Sequence, residues 1–270
     1  MRHRTSNLRG ADRQRRACIG LLGSAWLATL PRAARAGLPE TVARAKLSVL
    51  PVGTYSPTDA PRFGFRGTGF VIGDGTLVVT NYHVLPDDLS ASGPLLAVLS
   101  GRGATDTSPE RQLRRAKLVA SDRSTDLALL QIDGAPLPSL ELDPAAAARE
   151  GQSVALIGFP IGGALGFAPV THRGIIASIT TIALPAPTAR QLDPRAVLRL
   201  RNGNFQVYQL DATAYPGNSG GPVLDAESGR VLGIVNMVLV KGSRETALTN
   251  PTGISYAIPI EHLLELLKNR

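Results

Sequence analysis

Short apolar runs separated by glycine, proline, aspartate and asparagine fill most of this chain from residue 47 onward. Runs of this kind, rich in valine, isoleucine and threonine, predict β-strands, and glycine-rich pairs between them predict tight turns. The runs lie at 47–50, 65–80 (a hairpin around Gly73-Asp74-Gly75), 117–120, 127–132, 154–157, 174–182, 205–210, 222–224, 230–240 and 253–258. Leucines at helical spacing predict a single short helix at 261–268. The pattern therefore predicts an all-β barrel or sandwich.

The first 36 residues have the three-part build of a secretory signal peptide. An arginine-rich start precedes an apolar run at 17–30, and a small-x-small cleavage signal ends at Ala36. The apolar run is shorter than the roughly 20 residues that a membrane-spanning helix needs, so a retained membrane helix fits less well. Adjacent Arg15 and Arg16 are compatible with the twin-arginine type of signal. We expect export, with cleavage before Gly37 and no stable membrane insertion afterwards.

Most of the positive charge belongs to this leader. It holds eight arginines and one aspartate, so seven of the eight formal positive charges leave with it. The remaining chain is nearly neutral, so the high positive charge of the whole sequence is no sign of a nucleic acid partner, and we expect none. The only cysteine, Cys18, also leaves, so we expect no disulfide in the mature chain.

A glycine-rich turn at 215–222 surrounds Ser219. Gly217 and Asn218 precede the serine, and Gly220 and Gly221 follow it. A serine hydroxyl becomes a useful nucleophile when it is exposed beside a base, with backbone N–H groups aimed at the developing oxyanion. An ordinary surface loop of the same composition is the alternative interpretation of this segment alone.

Two further segments favour catalysis. His83 follows a strand-like run within Thr-Asn-Tyr-His-Val, and Asp126 directly precedes the strand-like run at 127–132. The order histidine, aspartate, serine is that of the chymotrypsin arrangement, whereas subtilisin-like and α/β-hydrolase enzymes order the same groups differently.

Together these segments resemble trypsin-like serine proteases of the HtrA (DegP) type. The matching segments span most of residues 65–260 in family order: 67–72, 80–84, 124–130, 158–160, 174–179, 211–224, 229–235 and 253–260. The resemblance implies two six-stranded antiparallel Greek-key barrels, at 37–140 and 141–258, and a C-terminal helix at 259–270. It places His83 and Asp126 on the first barrel and Ser219 on the second, with the site in the cleft between them.

The resemblance also implies the role of each site residue. Ser219 attacks the scissile carbonyl, His83 moves the proton, and Asp126 orients the imidazole. The implied oxyanion hole consists of Gly217, Asn218 and Ser219. The implied primary pocket consists of Ala212, Thr213, Ala214, Asn236, Met237 and Val238. None of the pocket residues is charged, so we expect a preference for small or medium aliphatic side chains.

Substrates, partners and regulation follow from the same resemblance. The expected substrates are unfolded or misfolded polypeptides. Asn218 cannot form the ion pair by which an aspartate holds a new N-terminus in zymogen-activated members of the wider family. Chains of the HtrA type usually carry a C-terminal PDZ domain; because this sequence ends at Arg270, directly after the terminal helix, we expect that domain to be missing.

The histidines outside the triad give no sign of a metal site. His172 and His262 lie far apart in the mature sequence and lack metal-ligand spacing, so we expect neither metal nor other cofactor. A lone histidine at a strand end, such as His172, is expected to be solvated. The sequence has no heptad pattern or internal repeat from which an oligomeric state could be predicted.

Two alternative functions remain. The sequence from Gly217 to Gly221 also satisfies Gly-x-Ser-x-Gly, the nucleophile elbow of esterases, but that fold needs a helix after the serine and a histidine last in order. Pro222 and strand-like runs follow here instead. The second alternative is a protease-like protein that binds peptides without cutting them, which labelling by a fluorophosphonate would distinguish.

Overall fold

Twelve strands and two α-helices form within the residues that the computed structural model describes, which are 37–90, 93–101, 112–143, 148–160, 162, 167–181, 206–236 and 253–270. The strands are β1 (Val49–Tyr55), β2 (Phe63–Ile72), β3 (Leu77–Asn81), β4 (Leu95–Ser100), β5 (Gln112–Asp122), β6 (Leu127–Ile132), β7 (Ser153–Gly158), β8 (Val170–Thr181), β9 (Gln206–Asp211), β10 (Pro222–Asp225), β11 (Val231–Val235) and β12 (Ile254–Pro259). The helices are α1 (Leu38–Ala45) and α2 (Ile260–Lys268), with 3₁₀ turns at Lys46–Ser48 and Tyr82–Val84.

The strands close into two antiparallel barrels of six. The first has the order β1-β2-β3-β6-β5-β4, and the second has the corresponding order β7-β8-β9-β12-β11-β10. This architecture, with the short C-terminal helix α2, confirms the expected all-β fold.

Consecutive apolar residues in the strands are explained by burial on both faces. Val71, Val78 and Leu130 point into the first barrel, whereas their neighbours join a core shared by both barrels and α2. Because side chains alternate between the two faces of a strand, a strand that is buried on both faces needs an unbroken apolar run. The shared core includes Phe70, Ile72, Val79, Leu129, Ile157, Leu224, Ile234, Ile258, Leu263 and Leu266.

Three elements differ from the sequence-based expectations. Strand β4 and helix α1 were not expected, and β1 begins after the 3₁₀ turn and continues beyond the predicted run at 47–50 as far as Tyr55. The pairing of β1 with β2 shifts register at Gly53. Gly53 lies directly against the carbonyl of Gly64, where any side chain would collide, so the strand can continue through this position because the residue is glycine. Strand β4 is a single apolar run, and β1 and β5 pair with its two edges.

The segment between the barrels is hydrogen-bonded to both of them. The N–H of Leu140 donates to the carbonyl of Val71 at 2.9 Å, and the N–H of Val231 donates to that of Glu141 at 3.0 Å. The α-helices of the described ranges are too short or too polar to cross a membrane.

Candidate active site

His83 lies in the single 3₁₀ turn that follows β3. Its Nδ1 is 2.6 Å from Oδ2 of Asp126, and its backbone N–H donates to Oδ1 of the same carboxylate at 2.9 Å. The two side chains are 15% and 12% exposed. A proton on Nδ1 in this contact leaves Nε2 free to act as a base.

Asp126 is held in a left-handed backbone conformation, with φ of 59°. Its carbonyl accepts hydrogen bonds from the N–H of Tyr82 at 2.9 Å and from the amide of Asn81 at 3.1 Å. The preceding turn is held by Asp122, whose carboxylate accepts from Ser124 and Thr125. Burial raises the pKa of Asp122, but these hydrogen bonds outweigh burial and bring the pKa below its ordinary value.

Asn236 supplies a third donor to the Asp126 carboxylate. Its Nδ2 lies 3.0 Å from Oδ2, and the residue is 1% exposed. The sequence suggested Asn236 only as a pocket wall, because no local pattern links two residues so far apart in the chain. Three hydrogen-bond donors hold the buried carboxylate of Asp126 in place. In this position it can orient the imidazole of His83 and stabilise the charged form of that ring.

The turn around Ser219 is closed by its own backbone. The N–H of Asn218 donates to the carbonyl of Tyr215 at 3.0 Å, and Gly217 has φ of 105°, as the third residue of a type II turn requires. Gly220 also has positive φ, 85°, and its N–H donates to Val235 next to Asn236. The serine is thus held between two glycines whose conformations other residues rarely adopt.

Thr68 of the first barrel fixes this turn from the other side of the cleft. Its N–H donates to the carbonyl of Ser219 at 2.9 Å, and its Oγ1 donates to the carbonyl of Gly217 at 2.6 Å. Oγ1 also accepts from the N–H of Phe159 at 3.1 Å. A Cβ on Gly220 would collide with the Thr68 carbonyl, so the serine turn and the first barrel are in direct contact.

Asn218 is not positioned as an oxyanion donor. Its N–H is used within the turn, and its side chain is 1% exposed beside Gly158, where a Cβ would lie 2.7 Å from Oδ1. Both of its side-chain polar atoms lack a hydrogen-bond partner among the described residues. Of the expected oxyanion donors, this geometry leaves the N–H groups of Gly217 and Ser219 as candidates.

Part of the expected pocket lies in the described residues. Ala212 is 5% exposed, its carbonyl accepts from Ser255 at 2.9 Å, and Thr213 and Ala214 are half-buried. Met237 and Val238 lie outside the described residues. The six residues therefore remain a prediction as a pocket.

His172 is less solvated than expected. Its ring lies 5.8 Å from that of Tyr215, and its Nε2 is buried without a hydrogen-bond partner in the described part of the chain. Burial lowers the pKa of His172 below its ordinary value, because it disfavours the charged form of the imidazole. Among the described residues, no group of three histidine, cysteine or acidic side chains is arranged to hold a metal ion.

The fold does not favour the esterase interpretation of Gly-x-Ser-x-Gly. Ser219 is followed by strand β10, and the serine lies in a barrel of antiparallel strands. A nucleophile elbow joins a strand to a helix, so the fold lacks the context that this motif requires.

The comparisons with known proteins agree with this geometry. Residues 67–234 match the family model described as trypsin-like peptidase domain. A protein of Pseudomonas fluorescens named probable periplasmic serine endoprotease DegP-like is 30% identical over 201 residues, which cover 74% of this chain and 34% of the relative. A protein of the same name from Chlamydia trachomatis is 32% identical over 199 residues, which cover 73% of this chain and 32% of the relative. The chain thus spans about one third of the length of these relatives.

Two solved structures are similar over a larger share of their own length. An HtrA-type protease, AlgW, with a tripeptide superposes with a TM-score of 0.61 at 26% identity, covering 86% of this chain and 63% of that one. The serine endoprotease from Yersinia pestis superposes with a TM-score of 0.58 at 25% identity, covering 87% of this chain and 66% of that one. The family match, the relatives and the two-barrel fold agree, and the chain therefore belongs to the trypsin-like peptidase family.

Proposed function

We propose that this chain is an exported serine endopeptidase that hydrolyses peptide bonds in unfolded or misfolded proteins. The observation that carries the proposal is the hydrogen-bonded series of Asn236, Asp126 and His83 beside the turn of Ser219, since Gly67 lies against both Val84 and the Ser219 carbonyl. The names of the relatives, which are serine endoproteases, support the same reaction.

In the proposed reaction, Oγ of Ser219 attacks the carbonyl carbon of the scissile bond while Nε2 of His83 takes its proton. The tetrahedral intermediate collapses when His83 gives that proton to the leaving amine. Water then attacks the acyl-enzyme by the same two proton transfers and regenerates the serine. Asp126 keeps the imidazole in the tautomer with Nε2 unprotonated and stabilises the imidazolium.

The oxyanion is proposed to bind to the N–H groups of Gly217 and Ser219. The bonds from Thr68 to the carbonyls of Gly217 and Ser219 support this assignment, because together they restrain peptide groups on both sides of the nucleophile. Donors that are already oriented cost no reorganisation when negative charge develops on the oxygen.

Uncharged residues at 212–214 support a pocket for small or medium aliphatic side chains before the cut. A lysine or arginine side chain buried there would find no carboxylate among Ala212, Thr213 and Ala214, and an unpaired buried charge is costly.

We also propose export to the periplasm. The leader 1–36 lies outside the described residues, and the proposal rests on its three-part sequence and on the word periplasmic in the relatives' names. We retain the expected division into barrels at 37–140 and 141–258 as part of the proposal. The hydrogen bonds of Leu140 and Glu141 to opposite barrels support a boundary near these residues.

The first test is the reaction of the purified chain with a fluorophosphonate and with unfolded casein. We expect the wild type to be labelled and to cleave casein, and Ser219→Ala to lose labelling and at least about a thousandfold of turnover while keeping its circular dichroism. Ser228→Ala, at an exposed serine, is the matched control and should behave as wild type. A wild type that binds casein but reacts with neither probe would instead indicate a peptide-binding protein.

A further inference from the structure

Four of the six phenylalanines of the chain meet in one cluster at the seam between the barrels. Phe63 and Phe65 come from β2, Phe159 follows β7, and Phe167 precedes β8. The ring centroids of Phe65 and Phe63 lie 5.6 Å from that of Phe167, and Phe159 lies 6.4 Å from both Phe65 and Phe167. Phe159 is buried and the other three are half-buried, so this aromatic wall keeps apolar surface open to solvent.

The aromatic wall borders the turn of the nucleophile. A Cβ on Gly217 would lie 3.2 Å from the ring of Phe65, and one on Gly162 would lie 3.0 Å from the same ring. Gly217 is one of the two candidate oxyanion donors. A substrate whose carbonyl oxygen binds there therefore passes close to Phe65.

The neighbours of Phe65 indicate which part of the substrate passes there. Arg66 donates through Nε to the carbonyl of Val84 at 2.6 Å and through Nη2 to that of Leu85 at 2.8 Å. A Cβ on Gly67 would lie 2.7 Å from Val84, the residue after His83. The beginning of β2 thus runs along the His83 segment, and His83 is the group that protonates the leaving amine.

We infer that the aromatic wall binds the apolar side chain of one of the first two residues after the scissile bond. The inference rests on the proposed peptidase function and deepens it. An apolar side chain placed against the partly buried rings of Phe63, Phe65 and Phe167 removes apolar surface from water on both partners. The four side chains that form the wall are uncharged phenylalanines, so the contact they offer is apolar.

The experiment uses quenched fluorescent peptides with identical residues before the cut and either leucine or serine at the two positions after it. We expect wild-type kcat/KM to favour the leucine peptides by about tenfold, as a good apolar contact provides. Phe167→Ala should reduce this ratio several-fold, and Phe167→Leu should keep most of it. Phe167 is chosen because Phe65 also contacts Gly217, so that its removal would slow all substrates. Val119→Ala, which removes an apolar side chain that is 42% exposed on β5, is the control and should leave the ratio unchanged.

A wild-type ratio near one, or an equal ratio in wild type and Phe167→Ala, overturns the inference. Fluorophosphonate labelling separates this result from failure of the proposed function, because the reagent carries no residues after the cut. Labelling of Ser219 without a leucine preference rejects the aromatic wall alone, and absence of labelling rejects the peptidase as well. Comparison of the ratio within each variant cancels a uniform loss of activity through partial unfolding.

Discussion

At the scale of single residues, the backbone of Asp126 contributes to positioning the His83 segment, and so does its carboxylate. The left-handed conformation turns the carbonyl to Tyr82 and Asn81 while the carboxylate reaches His83. Most residues are disfavoured at positive φ, but aspartate and asparagine adopt it more readily. One residue therefore positions the histidine segment twice, through its main chain and through its side chain.

Asp126→Asn separates these two contributions. Asparagine keeps the left-handed preference and nearly the same shape but removes the negative charge, so we expect a folded protein with kcat lower by about 10³- to 10⁴-fold. Casein turnover and thermal unfolding measure the two effects. Asp126→Ala, which also loses the backbone preference, should lose stability in addition. Near-wild-type turnover of Asp126→Asn would contradict the assigned role.

A second residue-scale prediction concerns Asp122, whose hydrogen bonds from Ser124 and Thr125 give it a lowered pKa despite burial. A lowered folded-state pKa contributes stability above the ordinary value of 3.8, and this stability is lost as the pH falls through the folded-state pKa. Asp122→Asn should therefore be less stable than wild type at neutral pH, and the difference should shrink below pH 3.8. Urea unfolding at a series of pH values measures the difference. A difference that is constant from neutral to acid pH would show that the carboxylate charge does not matter.

At the scale of elements, every proposed catalytic group lies where a strand ends or begins. His83 follows β3, Asp126 precedes β6, and Ser219 precedes β10. The sequence predicted these positions because turn residues and chemically suited side chains occur together there. It did not predict the contacts of Asn236, Thr68 or the aromatic wall, since each joins residues that are distant in sequence and carries no local pattern.

Thr68→Val tests one of these long-range contacts. Valine keeps the shape but loses the hydroxyl that bridges Gly217 and Phe159, so the turn of Ser219 loses a restraint. We expect kcat to fall at least severalfold with little change in KM, and unfolding free energy to fall by about 1–3 kcal/mol. Thr180→Val, at an exposed strand position, is the matched control. Equal losses in both variants would rule out a specific role for the bridge.

At the scale of the whole molecule, two barrels with the same strand order are built from sequence without a detectable repeat. The strand pattern was sufficient to predict an all-β fold, because apolar runs and turns are local properties. The division into two barrels came from the family resemblance. The shared core explains why the strand pattern alone did not show this division. Ile72 and Val79 of the first barrel pack with Ile157 and Ile234 of the second, so an apolar run does not reveal which barrel its buried face belongs to.

The shared core also makes the molecule a candidate for fragment complementation. A break within 144–147 would leave His83 and Asp126 on one polypeptide and Ser219 on the other, each with an exposed half of the core. We expect neither fragment to react with a fluorophosphonate alone and the refolded mixture to react at Ser219. Labelling of the 148–270 fragment by itself would contradict this expectation. Reconstituted labelling would make acylation of the serine a direct reporter of the association of two polypeptides.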